Sequence, residues 1–136
     1  ALLPSNLRGD MPPAGSPNYF VASTPPDLLQ LWEFDVDWTT PANSTFTGPI
    51  DVPVAPFVTA QSVPQLGSSM LLDSLSFRPM MQAQYRTIDG VESLWVNHTV
   101  AATDGIGGVR WYEVQDPGNT AILAQESTYQ PDDRHR

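Results

Sequence analysis

The sequence predicts an all-β protein built from antiparallel strands. In several segments apolar residues alternate with polar ones, which is the two-residue period of a half-buried strand. Gly, Pro, Asp and Asn separate these segments and indicate turns. No apolar pattern with helical spacing continues for about eleven residues without a proline, so helix is expected to be a minor component. The 136 residues, 40% of them hydrophobic, are enough for one packed domain.

The first group of predicted strands lies between residues 19 and 57. Its clearest member is residues 31–38, where one face is aromatic and aliphatic and the other is acidic. A shorter strand over residues 19–22 precedes it and ends before a Pro-Pro turn. Residues 50–54 also alternate, but Pro53 has no backbone N–H to donate. The third strand is therefore predicted at the edge of a sheet.

A second group of four strands is predicted between residues 80 and 130. Asp89 and Gly90 form a strong signal for a two-residue hairpin, and a glycine-rich stretch and an Asp-Pro-Gly-Asn run supply the other turns. The predicted strands cover residues 80–88, 92–100, 109–114 and 121–129. Because each turn is short, these strands are expected to form one antiparallel meander.

The two groups together predict a partial β-propeller. A four-stranded meander preceded by three similar strands is the arrangement of one blade and most of another. A propeller needs about 4–8 blades to close, so the chain is expected to be a portion of a longer fold. A self-contained small β-sandwich is the alternative. Within this scheme residues 1–18 are an extended Pro/Gly-rich segment, and residues 19–136 form one domain. That domain divides into a partial blade (19–57), a connector (58–79) and a four-stranded blade (80–130).

Charge and composition exclude several classes of partner. The formal net charge is −9, with six basic and fifteen acidic residues. Nucleic acids and anionic membranes require clustered positive charge, so neither is an expected partner. No apolar run approaches the length of about 18 residues that a membrane span requires, and membrane insertion is not expected. The absence of cysteine excludes disulfides and thiolate metal sites.

Three stretches of the sequence share their pattern with one known family. They are PPAGSPNYFVA (12–22), LWEFDVDWTTPANSTFTGPIDVPVAPF (31–57), and ESLWVNHTV with GVRWYEV (92–114). These segments resemble a family of large secreted bacterial proteins, mostly of uncharacterised function, whose repeats form propeller-like blades. The resemblance extends from about Pro12 to Asp133. It implies an extracellular or cell-surface location and brings no established catalytic motif.

An acidic stripe is the candidate metal site. Glu33, Asp35 and Asp37 alternate along one predicted strand, where Cα atoms two residues apart are separated by about 6.5–7 Å. Such carboxylates could bind Ca²⁺ if loop carbonyls completed the coordination shell of about six to eight oxygens. A solvated acidic face, or one paired with arginines of a neighbouring strand, is the simpler interpretation. No cofactor other than this Ca²⁺ is expected.

Aromatic residues provide the candidate ligand-binding site. Trp95 and Trp111 could stack on the apolar face of a sugar ring, and Glu92 lies close in sequence to Trp95. An aromatic core is the simpler interpretation of most such residues. His98 shares its predicted strand face with aliphatic residues, so we expect a hydrogen-bonded histidine in the core rather than a general base.

These observations support three hypotheses about function. The first is a non-enzymatic segment of a secreted bacterial propeller-like protein that serves adhesion, surface structure or glycan binding. Its partners would be a polysaccharide or further strands of a longer parent chain. The second is a portion of a propeller-type glycoside hydrolase that uses two carboxylates about 5–9.5 Å apart. The third and weaker one is a calcium-stabilised β module.

Overall fold

The computed structural model describes residues 1–134, and the last two residues of the predicted domain 19–136 lie outside that range. Strands hold 50% of the residues and helix only 4%, which confirms the all-β prediction. The strands are β1 (Leu3–Leu7), β2 (Asn18–Thr24), β3 (Leu28–Asp35), β4 (Thr45–Pro53), β5 (Val63–Pro64), β6 (Leu71–Leu72), β7 (Ala83–Ile88), β8 (Val91–Ala101), β9 (Gly107–Gln115) and β10 (Ile122–Tyr129). Two short 3-10 turns lie at Pro41–Asn43 and Thr103–Gly105.

Eight of these strands form one curled sheet with the shape of a half-barrel. Their order is β10-β9-β8-β7-β1-β2-β3-β4, and β5 and β6 form a separate small hairpin. The sheet consists of two antiparallel meanders, β1 to β4 and β7 to β10, joined by a parallel pairing of β1 with β7. The two predicted strand groups are thus hydrogen-bonded side by side in a continuous sheet.

Strand β1 lies in the N-terminal segment, for which the sequence analysis predicted only extended chain. It pairs antiparallel with β2, where Leu3 lies opposite Val21, and parallel with β7, where Ser5 lies opposite Ala83. Leu3 and Ser5 are half-buried, whereas Pro4 is exposed. The prolines conceal this two-residue alternation in the sequence, and the pairing with β7 involves residues too distant for a local pattern to indicate.

The concave inner face of the sheet forms the hydrophobic core. Leu29 and Leu31 of β3 and Leu94 of β8 are fully buried. The cluster as a whole comprises Tyr19, Val21, Leu29, Leu31, Val52, Val54, Phe57, Ala83, Tyr85, Leu94, Val96, Val100, Tyr112 and Val114. Most members come from alternate residues of their strands, which places the intervening residues on the outer face.

The aromatic residues of the predicted strand 31–38 lie outside this core. Phe34 packs edge-on against Phe20 and Phe46, with ring centroids 6.3 Å apart in both contacts. The strand ends at Asp35, and Trp38 is 88% exposed. Leucines at odd positions fill the inner face, so the aromatic face is the outer one. The alternation identified the strand, but the buried face is the one that carries Leu29, Leu31 and Glu33 and not the aromatic one.

A bulge between β3 and β4 requires glycine at position 48. The register shifts between Leu31 and Glu33, and Gly48 adopts a φ of +129°. A Cβ atom there would lie 2.7 Å from the carbonyl oxygen of Leu31 and 2.8 Å from Cδ1 of Trp32. Both distances are shorter than an ordinary van der Waals contact.

Gly48→Ala is therefore expected to lower the free energy of unfolding by about 1–3 kcal/mol. Urea denaturation of the two proteins measures the change. Gly67→Ala is the matched control, because Gly67 also has a positive φ of +74° but nothing lies within 4 Å of the position of its Cβ. An equal loss of stability in both variants would show that the close contact of residue 48 with β3 does not affect the free energy of unfolding.

A hydrogen-bonded pair of polar side chains lies inside the core. His98 is 0% exposed, and its Nε2 lies 2.8 Å from the hydroxyl oxygen of Tyr112. The two rings stack at 5.6 Å, and Phe57 packs edge-on against His98 at 4.7 Å. Burial lowers the pKa of His98 to about 4. The prediction of a hydrogen-bonded core histidine is confirmed.

An ion pair between β9 and β10 is hydrogen-bonded to the segment that follows β4. Nη2 of Arg110 lies 3.0 Å from Oε2 of Glu126 and donates a hydrogen bond to the carbonyl oxygen of Ala55 at 3.3 Å. Oε1 of Glu126 accepts the backbone N–H of Ala55 at 2.9 Å. These contacts hold the curled sheet together across its open side.

Candidate functional site

The outer face of β7, β8 and β9 carries a groove whose residues are set by the strand register. Trp95 lies opposite Gln84 on one side and Glu113 on the other, and Asn97 lies opposite Trp111. Residues that face each other across antiparallel strands share one face of the sheet. The alternate residues of the same strands fill the core, so these five point away from it.

Two tryptophans are the main aromatic feature of the groove. The ring centroids of Trp95 and Trp111 lie 6.1 Å apart, and the ring planes differ by 20°. Both side chains are half-buried. The groove has a volume of about 400 Å³ and is lined by Gln82, Gln84, Arg86, Ile88, Trp95, Val96, Asn97 and Trp111. The structure therefore brings together the two tryptophans that the sequence analysis selected.

Two arginines fix the orientation of the glutamine amides in the groove. Arg8 donates from Nη2 and Nε to Oε1 of Gln82, at 2.8 and 3.2 Å. Arg86 donates from Nε to Oε1 of Gln84 at 3.2 Å. Since both amide oxygens are occupied, both amide nitrogens remain available as donors. Arg8 comes from the segment after β1 and is not a lining residue of the groove, so the N-terminal region supports the groove indirectly, through Gln82.

A buried carboxylate lies beside the tryptophan pair. Glu113 is 8% exposed and accepts hydrogen bonds from Ser93 at 3.1 Å, Gln115 at 3.0 Å and Gln125 at 2.6 Å. Burial by itself would raise the pKa of Glu113, but the three hydrogen bonds outweigh it and hold the pKa below its ordinary value. Glu113 is therefore ionised at neutral pH and structurally fixed.

Two polar atoms of the groove residues have no hydrogen-bond partner within the chain. They are Nε1 of Trp95 and Oδ1 of Asn97, both buried. A buried polar group without a partner costs about 1–3 kcal/mol. One atom is a donor and the other an acceptor, and both lie below the accessible surface of the groove.

Glu92, the third candidate ligand residue, lies on the opposite face of the sheet. Its even position in β8 places it with the core residues, beside two tyrosines. Burial, together with the nearby negative charge of Glu92, raises the pKa of Tyr85 to about 12. The pKa of Tyr19 is raised mainly by burial and further by the negative charges of Glu92 and Glu33. The structure does not bring Glu92 together with the tryptophan pair.

The three candidate metal ligands do not form a stripe on one strand. Glu33 lies in β3 near Tyr19, Asp35 ends that strand, and Asp37 lies beyond it. Oδ1 of Asp37 accepts the backbone N–H groups of Thr40 at 2.8 Å and Thr39 at 2.9 Å, which lowers its pKa. Within residues 1–134 no group of three or more His, Asp or Glu residues could hold a metal ion. The calcium hypothesis stays a prediction, to be tested by thermal melting with millimolar Ca²⁺ and with a chelator.

Comparisons with known proteins add no identification. No family model, curated protein or solved structure matches the chain. The resemblance to secreted propeller-like proteins thus stays a prediction. In the described residues 1–134, no helix has the length and apolar character needed to cross a membrane.

The sequence analysis missed the polar residues of the groove. Gln82, Gln84 and Arg86 follow one another at every second position, which is the period of a single strand face. The pairing of Gln84 with Trp95 follows from the Asp89-Gly90 hairpin, so these residues could have been placed beside the tryptophan. Arg8 has no comparable signal, because it reaches the groove only through the pairing of β1 with β7.

Proposed function

We propose that this protein is a non-enzymatic, secreted all-β module that binds polysaccharide in the groove on the outer face of its second meander. The near-parallel pair of Trp95 and Trp111 carries the proposal. Sugar rings have an apolar face formed by C–H groups, and a flat aromatic ring is complementary to that face. Two neighbouring rings of similar orientation suit a chain of linked sugars better than an isolated small molecule.

The polar residues around the rings support the same function. Binding sites for small molecules combine aromatic walls with a few placed hydrogen-bonding groups, in a volume of about 300–1,000 Å³. The groove, at about 400 Å³, lies in this range. Gln82, Gln84 and Asn97 provide planar amides that can pair with sugar hydroxyls. The arginine contacts hold two of these amides in position before a ligand binds, which reduces the entropic cost of binding.

The non-enzymatic part of the proposal rests on Glu113, the buried carboxylate beside the tryptophan pair. A glycoside hydrolase of the usual type needs a carboxylic acid that stays protonated near neutral pH to donate a proton to the leaving oxygen. The lowered pKa of Glu113 is opposite to this requirement. Its three hydrogen bonds also restrict its movement toward a substrate. These properties favour a structural role for Glu113 under the binding surface.

Trp95→Ala is expected to weaken polysaccharide binding at least tenfold, which corresponds to about 1.4 kcal/mol. Isothermal titration calorimetry against a panel of soluble oligosaccharides measures the affinity, with the wild-type chain defining the ligand. The matched control is Trp38→Ala, because Trp38 is 88% exposed and lies outside the groove. We expect the control to bind as the wild type does.

Two results would contradict the proposal. One is a wild-type chain that binds no member of a panel covering neutral and acidic polysaccharides. The other is an equal loss of affinity in the Trp95 and Trp38 variants, which would indicate nonspecific contact with exposed indole rings. Circular dichroism of each variant establishes that the sheet is intact. Trp111→Phe, which keeps an aromatic ring, is expected to retain more affinity than Trp111→Ala.

A further inference from the structure

We infer that the groove is selective for an acidic sugar, a uronate whose carboxylate is bound by Arg86. This inference rests on the proposed polysaccharide binding and adds the chemical class of the ligand. It follows from the kinds of hydrogen-bonding group that the groove leaves unoccupied and from the charges beside them.

Most unoccupied polar groups in the groove are donors. The amide oxygens of Gln82 and Gln84 accept hydrogen bonds from arginines, while their amide nitrogens donate to no atom of the described chain. Nε1 of Trp95 and Oδ1 of Asn97 also lack partners, but both atoms are buried and are not part of the surface that the groove presents to a ligand. A groove with an excess of donors is complementary to a ligand with an excess of acceptors, and a carboxylate only accepts.

The charged residues beside the groove also favour an acidic ligand. The chain carries a net charge of −9 and only six basic residues, yet Arg8 and Arg86 both contact groove residues. The salt bridge found among residues 1–134 joins Arg110 to Glu126. Neither Arg8 nor Arg86 is therefore neutralised by a carboxylate of the described residues. Both side chains are exposed and accessible to a ligand.

Arg86 is the residue placed to bind the carboxylate. Its Nε is used in the hydrogen bond to Gln84, which orients the guanidinium and leaves the two Nη groups free. Two parallel N–H donors match the two oxygens of a carboxylate, and such charge-assisted bonds are about twice as strong as neutral ones. Arg8 uses both Nε and Nη2 on Gln82 and has less of its guanidinium available.

Glu113 is the opposing charge near this position. Its two oxygens already accept three hydrogen bonds from neutral side chains, and only 8% of the residue is exposed. Arg86 is the charged residue that lines the groove. An acidic sugar therefore meets a positively charged group there, on a protein that is acidic overall.

Calorimetry with three oligosaccharides of equal length tests the inference on the full chain. The first is an oligogalacturonate, and the second is the same oligosaccharide as its methyl ester. The third is an oligosaccharide of otherwise uncharged sugars that carries sulfate groups. The ester keeps the ring and its hydroxyls but loses the charge. We expect the oligogalacturonate to bind at least tenfold more tightly than either of the others.

Arg86→Gln is expected to abolish the difference in affinity between acid and ester, because the acid loses more affinity than the ester, which loses only the support that Arg86 gives to Gln84. Arg78→Gln is the matched control, because Arg78 is exposed and packs against Phe77 outside the groove, and it is expected to retain the full ratio. Equal affinity for acid and ester in the wild type, or tighter binding of the sulfated ligand, would overturn the inference and leave the proposed function standing. If the wild-type chain bound none of the three oligosaccharides and no member of the panel of neutral polysaccharides, both this inference and the proposed function would be overturned.

Discussion

Leu31→Ala is expected to lower the free energy of unfolding by about 2–5 kcal/mol. Leu31 is 0% exposed and lies in the cluster that fills the concave face of the sheet. The substitution removes three buried carbon atoms and leaves a cavity that the surrounding strands can fill only in part. Domains of ordinary stability unfold with about 5–15 kcal/mol, so this loss is a large share of the total.

Urea denaturation followed by far-ultraviolet circular dichroism measures the effect. Leu66→Ala is the matched control because the side chain of Leu66 is fully exposed, and it is expected to change the stability by less than about 0.5 kcal/mol. If Leu31→Ala were as mild as this control, the concave face of the sheet would not be the core of the protein.

Acidification from pH 7 to pH 5 is expected to cost about 2 kcal/mol of stability through His98 alone. Burial, assisted by the positive charge of Arg110, lowers the pKa of His98 from 6.5 to about 4. Below pH 6.5 the unfolded chain binds a proton at this residue while the folded chain does not. The stability is therefore complete above pH 6.5 and decreases as the pH falls toward 4.

The comparison of wild type with His98→Gln isolates this contribution from that of the many carboxyl groups. We expect the wild type to lose about 2 kcal/mol more than the variant between pH 7 and pH 5. If the variant does not fold, the NMR titration of the His98 ring in the wild type gives its pKa directly. A midpoint near 6.5 would contradict the buried pairing with Tyr112.

The strands of the second meander are those that the sequence predicts best. Their turns are short and carry distinct residues, such as Asp89-Gly90, so both the strands and their pairing follow from local sequence. Strand β1 could not be predicted in the same way. Its partner β7 lies far along the chain, and parallel pairing leaves no turn between the two strands to indicate it.

Strand alternation also does not determine which face is buried. Trp32 and Phe34 lie on one face of β3, while Leu29 and Leu31 share the other face with Glu33. The side that becomes the core depends on the direction in which the whole sheet curls. The same limit applies to the site. The sequence selects Trp95 and Trp111 as candidates, but their nearness follows from the register of β8 with β9 and the contact of Arg8 from the pairing of β1.

The position of β1 also has a consequence for how the protein forms during translation. Ser5 is synthesised before its partner Ala83, which is added only after a further interval of roughly 4–16 s at the usual elongation rates of about 5–20 residues per second. In that interval β2, β3 and β4 can form hairpins, while one edge of β1 has no partner. The arrival of β7 closes a contact of high sequence separation, which is the slow type of step in folding. The most N-terminal strand is thus the one through which the two halves of the sheet become a single cooperative unit.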